Sequence, residues 1–167
     1  MQAATHQIDD YVIRLAEPKD LIPIIEINLK TLPEHYSDFF YESLLSEFQE
    51  TFMVAESSGR DVGYVMCKCE HGFSNFKKLG FVKKCHLVSV AVLEEHRRKG
   101  MGRSLVNGAI SGARTYRCEE LYLEVRCSNN EAVDLYQKMN FKVRNKLGSY
   151  YRDGEDAYLM SIEFDYS

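Results

Sequence analysis

The chain has 167 residues, of which 45% are hydrophobic, and a formal net charge of −4. This length suits one domain around a single core, and the composition differs from that of disordered chains. The longest apolar run is far below the roughly 20 residues of a membrane span, so we expect a soluble protein with no membrane partner. The negative net charge argues against a nonspecific nucleic-acid binder, which normally presents a basic surface.

The start of the chain has neither the basic residues nor the apolar stretch of a secretory signal. We therefore expect a flexible tail over residues 1–10, a single domain over residues 11–167 and a cytoplasmic location. The five cysteines form no CxxC pair, which favours reduced thiols. Cys67 and Cys69 alternate within a predicted strand and point the same way, where we expect packing rather than metal or redox chemistry.

The first predicted elements are a strand over residues 12–15 and a helix that follows it. Asp20 is the expected N-cap of this helix, and Pro23 fits its first turn, where the missing N–H would have no intrahelical partner. The helix should end before Pro33. A second helix is predicted over residues 38–48.

Two strands, over residues 52–56 and 62–69, are joined by a hairpin turn at residues 57–61. Residues 71–82 contain two glycines and two lysines without a steady period, which predicts an exposed loop. The later elements alternate strands and helices: strand 85–92, helix 102–116, strand 121–125, helix 130–139 and strands 141–147 and 157–164. The order βααβββαβαββ predicts an α/β fold with a mixed sheet of about seven strands and helices on both faces.

A basic turn punctuated by glycines links the predicted strand 85–92 to the helix after it. Its pattern is Arg97-x-x-Gly100-x-Gly102. Unpaired N–H groups at a helix start attract phosphate, and a residue without Cβ lets the backbone approach the ligand. Alone, the pattern also fits a solvated helix start, and it matches neither a P-loop nor GxGxxG.

A second motif follows about thirty residues later, Ser128-Asn129-x-x-Ala132-x-x-Leu135-Tyr136-x-x-x-Asn140-Phe141. Together the two motifs resemble the acetyl-CoA-binding half of the GNAT N-acetyltransferases, and the resemblance spans residues 12–164. Residues 32–36 and 150–158 resemble the catalytic subunit of NatA-type N-terminal acetyltransferases, particularly the archaeal enzymes related to RimI.

The resemblance implies that acetyl-CoA is the cosubstrate and CoA the product. Backbone groups of Val90 and Val92 would bind the pantetheine arm, the turn would hold the pyrophosphate, and Tyr136 would stand near the sulfur. The implied cofactor-binding residues are Val90, Ala91, Val92, Arg97, Arg98, Lys99, Gly100, Met101, Gly102, Arg103, Asn129, Tyr136 and Lys138.

The expected reaction is direct attack of an amine on the acetyl thioester in a ternary complex, with the oxyanion held by the Val90 N–H. We expect Glu34 and Glu124, with His86, to form a base system through ordered water, and which of them is the effective base is left open. Tyr136 is the candidate acid to the leaving thiolate. We expect no required metal, because His86 and Glu124 are too few ligands.

Tyr36, Tyr150 and Tyr151 are expected to frame the entry of the peptide. Each assignment has a structural alternative: a helix cap or solvent-facing role for Glu34, a surface ion pair for Glu124, a strand residue for His86, a core aromatic for Tyr136 and a packed hairpin pair for Tyr150 and Tyr151.

The expected substrates are the N-terminal α-amines of proteins and peptides, and nucleic acid is not an expected partner. Lysine Nε or small-amine acetylation is the second enzyme interpretation, because a fold does not determine function. A noncatalytic acyl-CoA-binding module is the third. The sequence leaves homodimerisation and ribosome association open.

Overall fold

The computed structural model describes residues 6–8, by their backbone only, and residues 10–167. The chain forms two compact units. Unit 1 contains the described residues up to Lys68 together with Leu87–Tyr116, and unit 2 contains Cys69–His86 and Arg117–Ser167. Within the described part, no helix is both long and apolar enough to cross a membrane.

Eight strands and four helices make up the described chain. The strands are β1 (His6–Ile8), β2 (Tyr11–Leu15), β3 (Met53–Ser57), β4 (Arg60–Phe73), β5 (Phe81–Val92), β6 (Glu120–Arg126), β7 (Lys142–Leu147) and β8 (Ala157–Glu163). The helices are α1 (Leu21–Thr31), α2 (Asp38–Glu47), α3 (Met101–Thr115) and α4 (Asn130–Lys138). The predicted order of elements is confirmed from β2 onward.

The sheet is mixed, as predicted. In unit 1 the strand order is β1-β2-β3-β4-β5, and in unit 2 it is β4-β5-β6-β8-β7. The pair β5 and β6 is parallel, with His86 opposite Tyr122, whereas β6 and β8 and the pair β7 and β8 are antiparallel. A parallel pair needs a crossover connection, and helix α3 lies in the chain between β5 and β6.

The tail expected over residues 1–10 lies partly outside the described residues. Within it, His6–Ile8 form strand β1, which pairs antiparallel with β2, so the expectation of a flexible tail is wrong for these three residues. Backbone hydrogen bonding to β2 supplies the order that so short a segment lacks by itself. The single domain expected over residues 11–167 stays a prediction.

Helices lie on both faces of the unit 1 part of the sheet. A Cβ added to Gly63 on β4 would lie 3.3 Å from the side chain of Leu105 on α3. The next residue, Tyr64, accepts a hydrogen bond from Asn28 Nδ2 on α1 at 3.1 Å. Because successive strand residues point to opposite faces, α3 and α1 cover opposite faces.

The loop predicted over residues 71–82 is shorter than expected. Strand β4 continues to Phe73 and β5 starts at Phe81, and a hydrogen bond of 2.8 Å from Ser74 N to Gly80 O closes the turn between them. The Phe73 and Phe81 rings meet edge to face at 5.6 Å. Cross-strand aromatic packing of this kind stabilises the end of the hairpin, although its glycines and lysines obscure the strand pattern in the sequence.

A partly buried ionic cluster surrounds Arg14 and Asp20, the residue before α1. Asp20 is the N-cap residue of α1, as predicted, but its side chain does not cap the helix. Both of its carboxylate oxygens accept hydrogen bonds of 2.8 Å from the Arg14 guanidinium. Arg14 also pairs with Glu56 at 2.7 Å and with Asp61 at 3.4 Å. These groups line a cavity of about 350 Å³.

The two aspartates of this cluster have opposite pKa shifts. Burial would raise the pKa of Asp20, but hydrogen bonds with Arg14, Asp61 and the Glu17 backbone, together with the charge of Arg14, outweigh it and lower the pKa to about 2. Burial and the hydrogen bond with Asp20 raise the pKa of Asp61 to about 7. Asp61 therefore takes up a proton near neutral pH and Asp20 does not.

Candidate active site

The basic turn has the geometry of an anion cradle. A short 3-10 turn, Glu94–His96, follows β5, and α3 begins at Met101. Gly100 has a φ of +81°, the left-handed conformation that a side chain disfavours. Arg97 Nε donates a 2.9 Å hydrogen bond to Val92 O, which fixes the turn to the end of β5.

The residues of this turn fit a pyrophosphate group. The first N–H groups of α3 have no intrahelical acceptor, and a Cβ added to Gly102 would meet no atom within 4 Å. Arg97, Arg98 and Arg103 are exposed, so their charges face solvent beside the helix start. Lys99 is also predicted to bind phosphate, and its Nζ lies 5.3 Å from the centre of the Tyr11 ring.

The other cofactor residues predicted in unit 1 lie at the end of β5 and the start of α3. Ala91, Val92 and Met101 are buried, and Val90 is half-buried. Val92 O already accepts the Arg97 hydrogen bond, but a carbonyl oxygen has two lone pairs and can accept a second donor.

Glu34 and Tyr36 lie in the connection between α1 and α2. Asn28 Nδ2 donates a 3.0 Å hydrogen bond to Glu34 O, and the same amide donates to Tyr64 Oη, which in turn bonds Ser89 Oγ at 2.6 Å. Tyr36 Oη donates to Val88 O at 3.4 Å. This buried network holds the connection against β5 within unit 1.

His86, Glu124 and Tyr150 come together in unit 2. His86 Nε2 lies 2.7 Å from Glu124 Oε1, and Tyr150 Oη donates to the same oxygen at 3.1 Å. The His86 ring stacks on Tyr122 with centroids 4.6 Å apart. The surface-pair alternative for Glu124 does not describe this geometry, because its partner is an imidazole and its side chain is only 13% exposed.

Arg126 contacts several residues of the segment between β7 and β8, residues 148–156, which contains Tyr150 and Tyr151. Its guanidinium lies 4.0 Å from the centre of the Tyr151 ring and bonds Asp153 at 2.8 Å and Glu155 at 3.0 Å. Hydrogen bonds from Ser128 and Arg126 lower the pKa of Glu155. Tyr150 and Tyr151 meet edge to face at 5.0 Å, so the packed pair considered as the structural alternative is present, while their contact with a peptide stays a prediction.

The predicted residues of α4 have visible structural contacts. Asn129 Oδ1 caps the helix by accepting from Ala132 N at 3.2 Å, which leaves its amide NH₂ as a donor group. Tyr136 is buried, packs on Phe141 at 5.7 Å, and has a pKa raised to about 12 by burial. Lys138 Nζ pairs with Asp134 at 2.8 Å.

Several supporting residues were missed by the sequence analysis. Asn28, Tyr64 and Ser89 are separated by up to 61 positions and carry no local motif. Arg126 lies two positions before the Ser-Asn motif, and the acidic Asp153, Glu155 and Asp156 could have been noticed as its partners. Its ring contact with Tyr151 required the fold.

Comparison with known proteins identifies the family. The model of the "Acetyltransferase (GNAT) family" matches residues 21–141. An N-alpha-acetyltransferase of Sulfurisphaera tokodaii is 48% identical over 154 residues, which cover 91% of this chain and 92% of the relative. The N-terminal acetyltransferase A complex catalytic subunit NAA10 of Arabidopsis thaliana is 37% identical, with coverages of 89% and 75%.

A solved structure, that of Ard1, is also similar to this chain. Ard1 from Thermoplasma volcanium has a TM-score of 0.78 and 29% identity to this chain, and the match covers 93% of this chain and 99% of that one. The family model spans the basic turn, the Ser-Asn motif and Tyr136, the same segments that the cofactor residues were predicted to occupy. The chain belongs to the GNAT family of acetyltransferases.

Proposed function

We propose that this protein transfers the acetyl group of acetyl-CoA to the N-terminal α-amine of proteins and peptides. The 48% identity to an N-alpha-acetyltransferase across nearly that relative's whole length carries the proposal. Acetyl-CoA supplies an acetyl group that is already activated as a thioester. The chain's own residues must therefore bind it, orient an amine and take up the proton that the amine loses.

The proton chemistry favours an α-amine over a lysine side chain. At pH 7 an α-amino group with a pKa near 8 costs about 1 kcal/mol to deprotonate, whereas a lysine near 10.4 costs about 4.6 kcal/mol. A carboxylate and an imidazole acting through water suffice for the smaller cost. His86 and Glu124 form such a pair, and the two are joined at 2.7 Å.

We assign proton uptake to His86, with Glu124 orienting the imidazole. Glu34 is the second acidic group of the proposal, because its backbone is fixed by Asn28. Tyr36, Tyr150 and Tyr151 are proposed to contact the peptide. Tyr136 is proposed to donate a hydrogen bond to the leaving sulfur, since its raised pKa keeps the hydroxyl protonated.

Three substrates separate the candidate activities. CoA release should be fast with a peptide that has a free α-amine and no lysine, and at least about tenfold slower with an N-acetylated peptide that contains lysine or with a small amine. Turnover only on lysine would replace the proposal with Nε-acetylation. Acetyl-CoA binding without CoA release on any of them would indicate a noncatalytic module.

Cytoplasmic location and closer kinship with RimI-type or NatA-type enzymes are further proposals of the same kind. The proposed kinship rests on the sequence motifs at residues 32–36 and 150–158. Self-association, ribosome binding and an auxiliary subunit are open alternatives that size measurements and co-sedimentation would separate.

A further inference from the structure

Three buried cysteines converge in unit 2, outside the residues assigned to acetyl transfer. Cys69 lies on β4, Cys85 on β5, and Cys118 in the segment before β6. All three side chains are buried, and their sulfur atoms lie within 4.8 Å of one another. The Cys69 and Cys85 sulfurs are 3.1 Å apart.

The backbone explains why these positions meet. Ser74 N bonds Gly80 O across the hairpin turn, and Cys69 and Cys85 lie five residues before and after this pair. Regular antiparallel pairing therefore places them opposite each other on adjacent strands. Glu119 N bonds Lys83 O at 2.8 Å, which brings the residue before it, Cys118, beside β5.

The three sulfur atoms are close enough to bind one metal ion together. Thiolate is the form of cysteine that binds metal ions.

We propose that Cys69, Cys85 and Cys118 form a structural binding site for a thiophilic divalent cation, Zn²⁺. Tetrahedral zinc with sulfur ligands at about 2.3 Å needs sulfur atoms about 3.8 Å apart, which this cluster reaches with shifts of about 1 Å or less. Zinc takes the place of the thiol protons, which are released to solvent, and water completes its coordination. No electron transfer is involved.

The third sulfur distinguishes this site from a disulfide. A disulfide between Cys69 and Cys85 would use two of the sulfurs and leave Cys118 without a role, whereas zinc uses all three. The site would connect β4, β5 and the start of β6, so its occupancy should stabilise unit 2. The sequence favoured a packing role for Cys69, because the three cysteines are far apart in the chain and form no CxxC motif that would indicate a metal site.

Metal content and a cobalt spectrum test the site in the full-length protein. The protein is purified with a phosphine reductant from zinc-supplemented cells, and separately refolded with Co²⁺ under argon. We expect about one zinc per chain, thiolate-to-cobalt charge-transfer absorption, and at least tenfold lower zinc content in Cys118→Ser. Cys67→Ser, which removes a buried cysteine elsewhere on β4, should keep the full metal content.

Wild-type protein that binds neither zinc nor cobalt would overturn the proposal, and this measurement does not depend on the folding of any variant. So would a Cys69–Cys85 disulfide that forms under mild oxidation in metal-supplemented protein, detected as a linked peptide by mass spectrometry. Equal zinc content in Cys118→Ser and the wild type would assign the metal to another place.

Discussion

His86 Nε2 lies 2.7 Å from Glu124 Oε1 across the parallel strands β5 and β6. This contact orients the imidazole ring toward the carboxylate. Tyr150 donates to the same carboxylate oxygen, so the proposed acid–base pair is hydrogen-bonded to the segment between β7 and β8, which is proposed to contact the peptide.

Replacing Glu124 by Gln should lower kcat for a peptide substrate about 100-fold, while the KM for acetyl-CoA changes less than about twofold. Glutamine keeps the size of the side chain but loses the negative charge beside His86. Steady-state kinetics with Glu163→Gln on β8, an exposed acidic residue, provide the matched control. Wild-type turnover in Glu124→Gln would remove Glu124 from the proton pathway.

Replacing Arg126 by Ala should raise the peptide KM about tenfold and leave the KM for acetyl-CoA nearly unchanged. The change removes the bonds to Asp153 and Glu155 and the cation–π contact with Tyr151. These three contacts together hold the segment between β7 and β8 against β6. The peptide KM of Arg126→Lys should lie between those of the wild type and Arg126→Ala, because lysine keeps the charge but lacks the planar guanidinium. Equal peptide KM values in all three proteins would show that the segment between β7 and β8 does not contact the substrate.

Replacing Gly100 by Ala should cost about 1 to 2 kcal/mol of stability, since its φ of +81° is unfavourable for a residue with Cβ. The KM for acetyl-CoA should rise as the turn adjusts. Gly102→Ala is the comparison variant, because its Cβ would meet no atom and alanine favours a helix. Urea unfolding of both variants checks the prediction, which fails if Gly102→Ala loses as much stability as Gly100→Ala.

Replacing Tyr136 by Phe should reduce kcat less than about tenfold. A phenol with a pKa of about 12 is a poor acid for a thiolate. Because the thiol that would form has a pKa near 8.5, full proton transfer from the phenol to the thiolate costs about 5 kcal/mol. Hydrogen bonding to the sulfur is the role that remains. A loss of 1000-fold in single-turnover experiments would instead require Tyr136 to transfer a proton.

The Arg14 cluster predicts a loss of stability as the pH rises. The folded-state pKa of Asp61, about 7, lies above its ordinary value of 3.8, so its stabilising effect is complete below pH 3.8 and disappears as the pH passes through 7. Asp20 behaves oppositely: with a folded-state pKa of about 2, its contribution is lost only as the pH falls through 2.

Asp61→Asn should therefore stabilise the protein by about 1 to 2 kcal/mol at pH 8.5 and by much less at pH 5, because it removes a buried charge that exists only at the higher pH. Urea unfolding at the two pH values checks this, with Asp134→Asn, an exposed aspartate on α4, as the control. An equal effect of Asp61→Asn at both pH values would mean that Asp61 is not protonated in the fold.

The sequence predicted the elements well where one periodicity dominated. Helix α3 and strand β6 were placed within one residue of their ends, because their apolar positions recur regularly. The hairpin end at residues 71–82 was misjudged, because its aromatic pairing depends on a cross-strand neighbour that local sequence does not reveal.

The candidate site was predictable only as far as its motifs are local. Arg97, Gly100 and Asn129 stand in contiguous patterns, so the resemblance of these motifs to the family was enough to predict a role for them. The contact of Glu124 with His86 joins residues 38 positions apart, and it arises from the parallel pairing of β5 with β6. Burial, which raises the pKa of Tyr136, likewise comes from tertiary packing rather than from spacing.

Tandem mass spectrometry of one peptide that carries both a free α-amine and an internal lysine tests the central claim most directly. After incubation with the enzyme and acetyl-CoA, the account predicts a single acetyl group on the N-terminal nitrogen, with acetyl-lysine at less than about a tenth of that amount. Acetylation mainly on the lysine Nζ would contradict the account.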